Sequence, residues 1–376
     1  MHDDSLRPAL IMSIPSRNLP IPKFLLLMVG CLTAAAWACS VPVFRYALEH
    51  WEADPFQAII FHRSALSAQQ QSQIQALRSK ADDPVRPNIS VTHVDVASEM
   101  SPELLDVWKQ QAQATLLPQL VLRFPRSSGL NTTITTAALA DAERLHLTNS
   151  PARQEIVERL GDGQCAVWVM LDSGDAVRDG ATAKLLQDRL DYLMSIMSLP
   201  ELDQLDIANG LVSVSQGDLR LEFSLLRISR NDAAENTFTQ MLLSTEPDLA
   251  AVREPIVFPI FGRGRALYAL VGKGIQAETI EQAATFLIGK CSCQVKEQNP
   301  GTDLLLTADW NALAKASPRQ KRELPSLAHL AQAAAPITVT TQPQAASVSK
   351  KGLSPRLVLL LIIAILGAGL VVKKIL

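Results

Sequence analysis

The chain has 376 residues, 48% hydrophobic, 19% charged and 5% aromatic, which suffices for two to three cored domains and excludes a chain disordered throughout. Five cysteines at this length are too few for a disulfide-built mini-protein. The net charge of −2 hides three unlike parts: residues 1–38 hold three basic and two acidic groups (+1), 39–314 hold 23 and 34 (−11), and 315–376 hold nine and one (+8). Such an acidic middle repels phosphate backbones, so no nucleic-acid partner is expected.

The N-terminal segment 24–44 is uncharged between Lys23 and Arg45. Ala36-Trp37-Ala38 fits the small-x-small pattern of a signal-peptide cleavage site, so 1–38 reads as a signal peptide. An uncleaved signal anchor fits the same 21 uncharged residues. Ala36-Trp37-Ala38-Cys39 is also a poor lipobox, which makes Cys39 a lipidation candidate.

The body begins with a short helix over 43–52. FQAIIF at 56–61 reads as a strand, and Ser64 opens a helix of about 16 residues, rich in Gln and Ala. ISVTHVDV at 89–96 alternates as a strand, and Ser101-Pro102-Glu103 caps a helix over 102–113. Leu116 to Phe124 is a strand opened by Pro118. Ser150-Pro151 starts a helix that ends at Gly161. CAVWVML at 165–171 opens a second unit, followed by a helix of about 20 residues ending near Leu199. Strands are expected within 211–228 and a helix over 233–244. IVFPIF at 256–261 is a strand with Pro259 embedded, 266–272 returns as its hairpin partner, and 277–289 is a closing helix. Strands alternating with helices indicate a layered α/β fold, with units at 39–162 and 163–314.

The segment 315–352 is a basic linker rich in Pro, Ala and Thr. The segment 353–373 reads as a transmembrane helix. Its core, Leu357 to Val372, is 16 residues, about 24 Å as a helix, and Arg356, Lys373 and Lys374 can snorkel to cover a bilayer. Its basic flank would be attracted to anionic membrane lipid. If the N-terminal segment starts export, the body lies outside the cytoplasm (in the periplasm, for a bacterium) and this helix is a stop-transfer anchor.

The closing half of each unit resembles the thioredoxin-like family, in which strand, helix, strand and helix precede a strand entered through a cis-proline, a hairpin partner and a last helix. The segments that carry the resemblance are Leu117-Pro118-Gln119-Leu120-Val121-Leu122 and Pro259 to Leu287. The resemblance implies two tandem thioredoxin-like α/β units. Active members of that family carry Cys-x-x-Cys after the first strand, at a helix N-terminus. Here those places read Phe61-His62-Arg63-Ser64 and Leu171-Asp172-Ser173-Gly174, without cysteine. Thioredoxin-type exchange at the usual site is excluded.

Cys291-Ser292-Cys293 is the most pointed chemical feature. It reads as a reactive thiol pair, as part of a structural bridge, or as thiols free or otherwise paired. The family resemblance implies that Cys165, at the start of the second unit's first strand, lies near the end of the last helix and can bridge to Cys291 or Cys293. A four-ligand zinc set is missing from the sequence around this segment, and no metal or cofactor is expected. Gly262-Arg263-Gly264-Arg265 and Gly272-Lys273-Gly274 lack the strand-to-helix setting of a phosphate loop and read as turns. His62 and His93 read as structural, Asp172, Asp175 and Asp179 as a solvated helix start, and Asn88 and Asn131 head glycosylation sequons. No catalytic residue is identified. The expected function is a membrane-anchored, extracytoplasmic binding or assembly protein with envelope-protein partners, the alternative being a thiol-redox protein using Cys291 and Cys293.

Overall fold

The computed structural model describes residues 39–78, 83–111, 117–292 and 294–316. The segments 1–38 and 353–373, the linker from 317 onward and Cys293 lie outside the described residues. Among the described residues, no helix is long and apolar enough to cross a membrane.

The elements in chain order are α1 (Val43–His50), β1 (Phe56–His62), α2 (Ala68–Leu77), β2 (Arg86–Pro87), β3 (Ile89–Asp95), α3 (Pro102–Gln110), β4 (Gln119–Arg123) and β5 (Thr133–Ala138). They continue with α4 (Pro151–Gly161), β6 (Ala166–Leu171), α5 (Ala176–Ile196), α6 (Gln204–Ala208), β7 (Phe223–Ile228), α7 (Asn236–Leu243) and β8 (Ile256–Phe261). The last are β9 (Arg265–Ala266), β10 (Leu270–Val271), α8 (Ala277–Ile288), β11 (Thr302–Asp303), β12 (Thr307–Ala308) and α9 (Trp310–Lys315).

Mixed sheets and helices make this an α/β protein. The first sheet runs β3-β1-β4-β5, with β1 parallel to β3 and antiparallel to β4. In the second sheet β6 is parallel to β7 and antiparallel to β8, and β8 pairs with β9 and β10. Each sheet therefore opens with a parallel strand–helix–strand unit and closes with an antiparallel return.

Strand alternation assigns the cores. Phe56, Ile60, Leu120 and Leu122 of the first sheet share one apolar cluster with Val167, Val169, Phe258 and Ile260 of the second. On their other faces, Ile59, Phe61 and Val121 meet Val107 of α3, while Trp168, Met170 and Val257 meet α5 and α8. A common core thus joins the two sheets, and two segments cross the sequence boundary at 162. Residues 39–51 pack with the second sheet's outer cluster, and β12 returns to pair with β2.

Several element boundaries differ from the sequence expectation, each for a local reason. Helix α2 starts after Ser67 rather than at Ser64, because Ser67 and Gln70 form a reciprocal capping box. Helix α3 ends at Gln110, α5 at Ile196, and α7 starts at Asn236 after a 3-10 turn. Only 223–228 of the 211–228 segment is a strand. The expected hairpin partner at 266–272 is split into β9 and β10, and Pro259 explains the break. The Pro259 carbonyl accepts from Leu267 N–H at 2.9 Å, so its nitrogen, which has no hydrogen, faces the same neighbour and cannot extend the ladder. Among the described residues the cis bond is Leu117–Pro118, at the entry to β4. Pro259 sits mid-strand opposite Trp168, and the expectation of a cis-proline entry there is corrected.

The Gly262–Arg265 turn closes the β8–β9 hairpin, as its glycines suggested. Gly264 has φ +86°, and a β-carbon there would stand 2.2 Å from Leu306 Cδ1. Gly264→Ala is expected to lower stability by about 2–4 kcal/mol, adding backbone strain to overpacking. Chemical denaturation of the variant checks this, and a loss under about 1 kcal/mol would mean that Leu306 yields freely.

Candidate functional site

The loops after β1 and β6 are where a strand–helix turn presents groups for chemistry, and both are closed by their own hydrogen bonds. After β1, half-buried His62 Nδ1 lies 2.9 Å from the Ser64 carbonyl, and its ring centroid is 5.9 Å from that of exposed His93. Ser67 and Gln70 satisfy the first turn of α2. The register that pairs Phe61 with Gln119 brings Pro118 beside the end of β1.

After β6 the closure is tighter. Asp175 caps α5 by accepting from Val177 and Arg178 N–H. Asp179, 3% exposed, turns back and accepts from Ser173 N–H at 2.8 Å, Ser173 Oγ at 2.7 Å and Gly174 N–H at 3.0 Å. Burial alone would raise its carboxyl pKa, but the Ser173 and Gly174 donors outweigh that and hold it below the ordinary value. Asp172 makes a paired contact with Arg227, 2.9 Å at its closest. The three carboxylates expected to be a solvated helix start therefore have protein partners, and one is buried. An anion nest at a helix start is already filled by the chain itself.

The thiols separate into two environments. Cys165 is fully buried, its Sγ donates to the Arg220 carbonyl at 3.2 Å, and it is a free cysteine. The expected bridge from Cys165 to the segment at 291 is not formed. Desolvation pushes its pKa up to about 12, so it is a poor nucleophile at neutral pH. Iodoacetamide is expected to leave Cys165 unmodified in the native full-length chain and to label it after denaturation. Peptide mapping checks this, and native labelling would show an opening that the fold does not provide. Cys39 and Cys291 lie buried together in the cluster beneath α8, at 3% and 1% exposure.

The first glycine-rich segment is a hairpin turn and the second, Gly272–Gly274, a 3-10 turn. Arg263 donates to the carbonyls of Leu48 and Glu49, both at 2.9 Å, and burial lowers its pKa despite Glu52 nearby. Of the sequon asparagines, Asn88 is consumed internally. Its Nδ2 donates to Asp54 O and Leu304 O, and its Oδ1 accepts from Leu306 N–H.

Sequence reasoning missed two buried charge clusters. Arg153, fully buried, donates to Ser150 Oγ and to the carbonyls of His146, Leu147 and Leu305. Ser150 Oγ in turn donates to Glu235 at 2.6 Å, and Ala152 N–H donates to the other Glu235 oxygen at 2.7 Å. The second cluster centres on Asp303, which holds Arg265 at 2.9 Å and Lys296 at 2.7 Å. Lys296 also reaches Asp54 at 2.8 Å. These residues are far apart in sequence and belong to no motif, so no local signal marks them. Among the described residues, no group of three or more His, Cys, Asp or Glu side chains is arranged to hold a metal ion. The cavity of about 310 Å³ lined by Glu52, Arg86, Arg263 and Trp310 mixes both charge signs.

In comparisons with known proteins, no family model matches the chain and no curated protein shows significant similarity to it.

Proposed function

We propose that residues 39–314 are two tandem thioredoxin-like units without the catalytic cysteine pair, forming the body of a membrane-anchored, extracytoplasmic binding or assembly protein. The observation that carries this reading is the closure of both strand–helix turns. In the second unit the Asp179 carboxylate occupies the donors that a reacting thiolate or anionic substrate would need, and in the first the Ser67–Gln70 box does the same. A strand order with two parallel strands followed by an antiparallel return in each sheet supports the thioredoxin-like reading. The apolar segment at 353–373 would confine the body to a membrane and so to partners in the envelope.

Crosslinking of the full-length protein in intact cells, with mass-spectrometric identification, tests this. The expected outcome is a reproducible envelope protein crosslinked through lysines of the acidic body. Mixed disulfides trapped on Cys291, with disulfide-reductase activity in the purified full chain, would overturn it in favour of a thiol-redox protein.

A further inference from the structure

Helix α5 carries two apolar faces. One is built into the fold, since Ala183, Leu186, Leu190 and Leu193 are buried in the outer cluster of the second sheet. The other faces solvent: Val177 is 84% exposed, Leu185 43%, Tyr192 48% and Ile196 57%. These are four of the seven large hydrophobic side chains exposed among the described residues. At about 100° per residue, the four fall within about 100° of one another and about 140° from the middle of the buried face. Ala181 lies in the same stripe. Beside it, Ala181, Leu185, Tyr192 and Ala277 of α8 line an open groove of about 570 Å³. Single exposed hydrophobic residues are ordinary, but a row of them along one helix face marks an interaction surface.

The pattern of the stripe says what covers it. Val177 and Ala181 form its slighter half, Tyr192 and Ile196 its bulkier half. Lys184 and Asp188 sit at its middle, 2.7 Å apart and both largely exposed. We propose that this face docks on the same face of a second copy of the chain, with the two α5 helices antiparallel about a two-fold axis near Leu186 and Gln187. That arrangement sets Val177 against the partner's Ile196 and Ala181 against the partner's Tyr192. It brings Lys184 within reach of the partner's Asp188, and the symmetry makes each contact twice. Arg189, which then stands opposite Lys184, is already paired with Glu281 and lies over the Tyr192 ring, 4.7 Å from its centroid. A membrane surface suits the stripe less, because an interfacial helix needs a basic polar face. Here Asp188 and Asp191 lie on or beside the stripe, in a region of net charge −11. The helix pair is only about 29 Å long, so a weak, micromolar dimer is expected. The pairing stands apart from the envelope reading above, and loss of an envelope partner would leave it unchanged.

Two measurements on the full-length protein test this. A photo-crosslinking amino acid in place of Leu185, activated in intact cells, is expected to give a homodimer whose fragment spectra join α5 to α5. In sedimentation velocity of the detergent-purified protein, the parent is expected to dimerise as its concentration rises. Leu185→Glu combined with Tyr192→Glu should weaken that dimer by about tenfold or more and leave the melting curve unchanged, since both side chains face solvent. The ion pairs give a sharper reading. Lys184→Asp and Asp188→Lys should each weaken the dimer several-fold, because each sets like charges across the axis. An equimolar mixture of the two should recover it as a heterodimer, which a contact within one helix cannot do. A crosslink from position 185 only to another protein or to lipid, a dimer unchanged by the two glutamates, or a monomer at every concentration overturns the proposal. Failure of the mixture to recover the dimer overturns the antiparallel register.

Discussion

Arg153→Met is expected to cost about 3–5 kcal/mol of folding stability, the range for leaving a buried charge uncompensated, since Ser150 links the guanidinium to the buried Glu235 carboxylate. The guanidinium is fully buried, lies 5.8 Å from the Phe238 ring centroid, and donates to three backbone carbonyls and Ser150 Oγ. Desolvation lowers its pKa to about 10, against a raising effect from Glu235, so it remains a cation at neutral pH. Methionine fills much of the volume but leaves those acceptors unsatisfied and Glu235 without a compensating charge. One of the carbonyls, Leu305 O, belongs to the segment between β11 and β12, so the loss should loosen the return of the chain to the first sheet. Glu235→Gln keeps an acceptor for Ser150 and Ala152 and is expected to cost less. Denaturant unfolding followed by far-UV circular dichroism measures both. A loss below about 1 kcal/mol for Arg153→Met would show that the pocket relaxes around an apolar chain.

A comparable loss, about 3–5 kcal/mol, is expected for Asp303→Ala, with a different readout. Asp303 accepts from Arg265, Lys296 and the Asp54 N–H. Its removal leaves two cations, each 10% exposed at the side chain, without their shared anion. Lys296 would keep Asp54 and the Glu52 carbonyl, and Arg265 only the carbonyls of Pro300 and Asn299. Residues 294–303 should then detach first, and limited proteolysis should cut there before the sheets unfold. Simultaneous loss of all fragments would mean that the segment has no separate stability. The cluster also sets an acid limit. Burial would raise the Asp54 pKa, but Lys296 and Ser127 donate to its carboxylate and hold it below its ordinary value of 3.8. A carboxyl depressed in the folded state contributes stability that is present above that value and lost as pH falls below it. Stability measured down through pH 4 should fall in the parent, and the contribution of this site should disappear in Asp54→Asn.

Most elements could be read locally because their signals are local. Ser101-Pro102 and Ser150-Pro151 begin helices α3 and α4, and the largely apolar β1 and the wholly apolar β6 and β8 remain buried along most or all of their length. Cap residues act within one turn, so their effect needs no distant partner. The absence of cysteine at the two strand–helix turns was also legible. The filling of one by Asp179 was not, since three carboxylates near a helix start read equally well as solvated until their donors are known.

The sequence by itself determined the α/β class, most helix starts, the acidic stretch between two apolar ends, and the absence of cysteine at the two strand–helix turns. Tertiary structure alone decided that the sheets share a core, that residues 39–43 run beside the end of α8, and that Arg153 and Asp303 hold the returning chain. It also decided that Cys165 bonds to a carbonyl rather than to sulfur. The physical reason is range. Capping, periodicity and proline geometry act over a few residues and leave a pattern in the chain. A buried charge or a thiol takes its state from groups hundreds of positions away, which desolvate it and supply its partners.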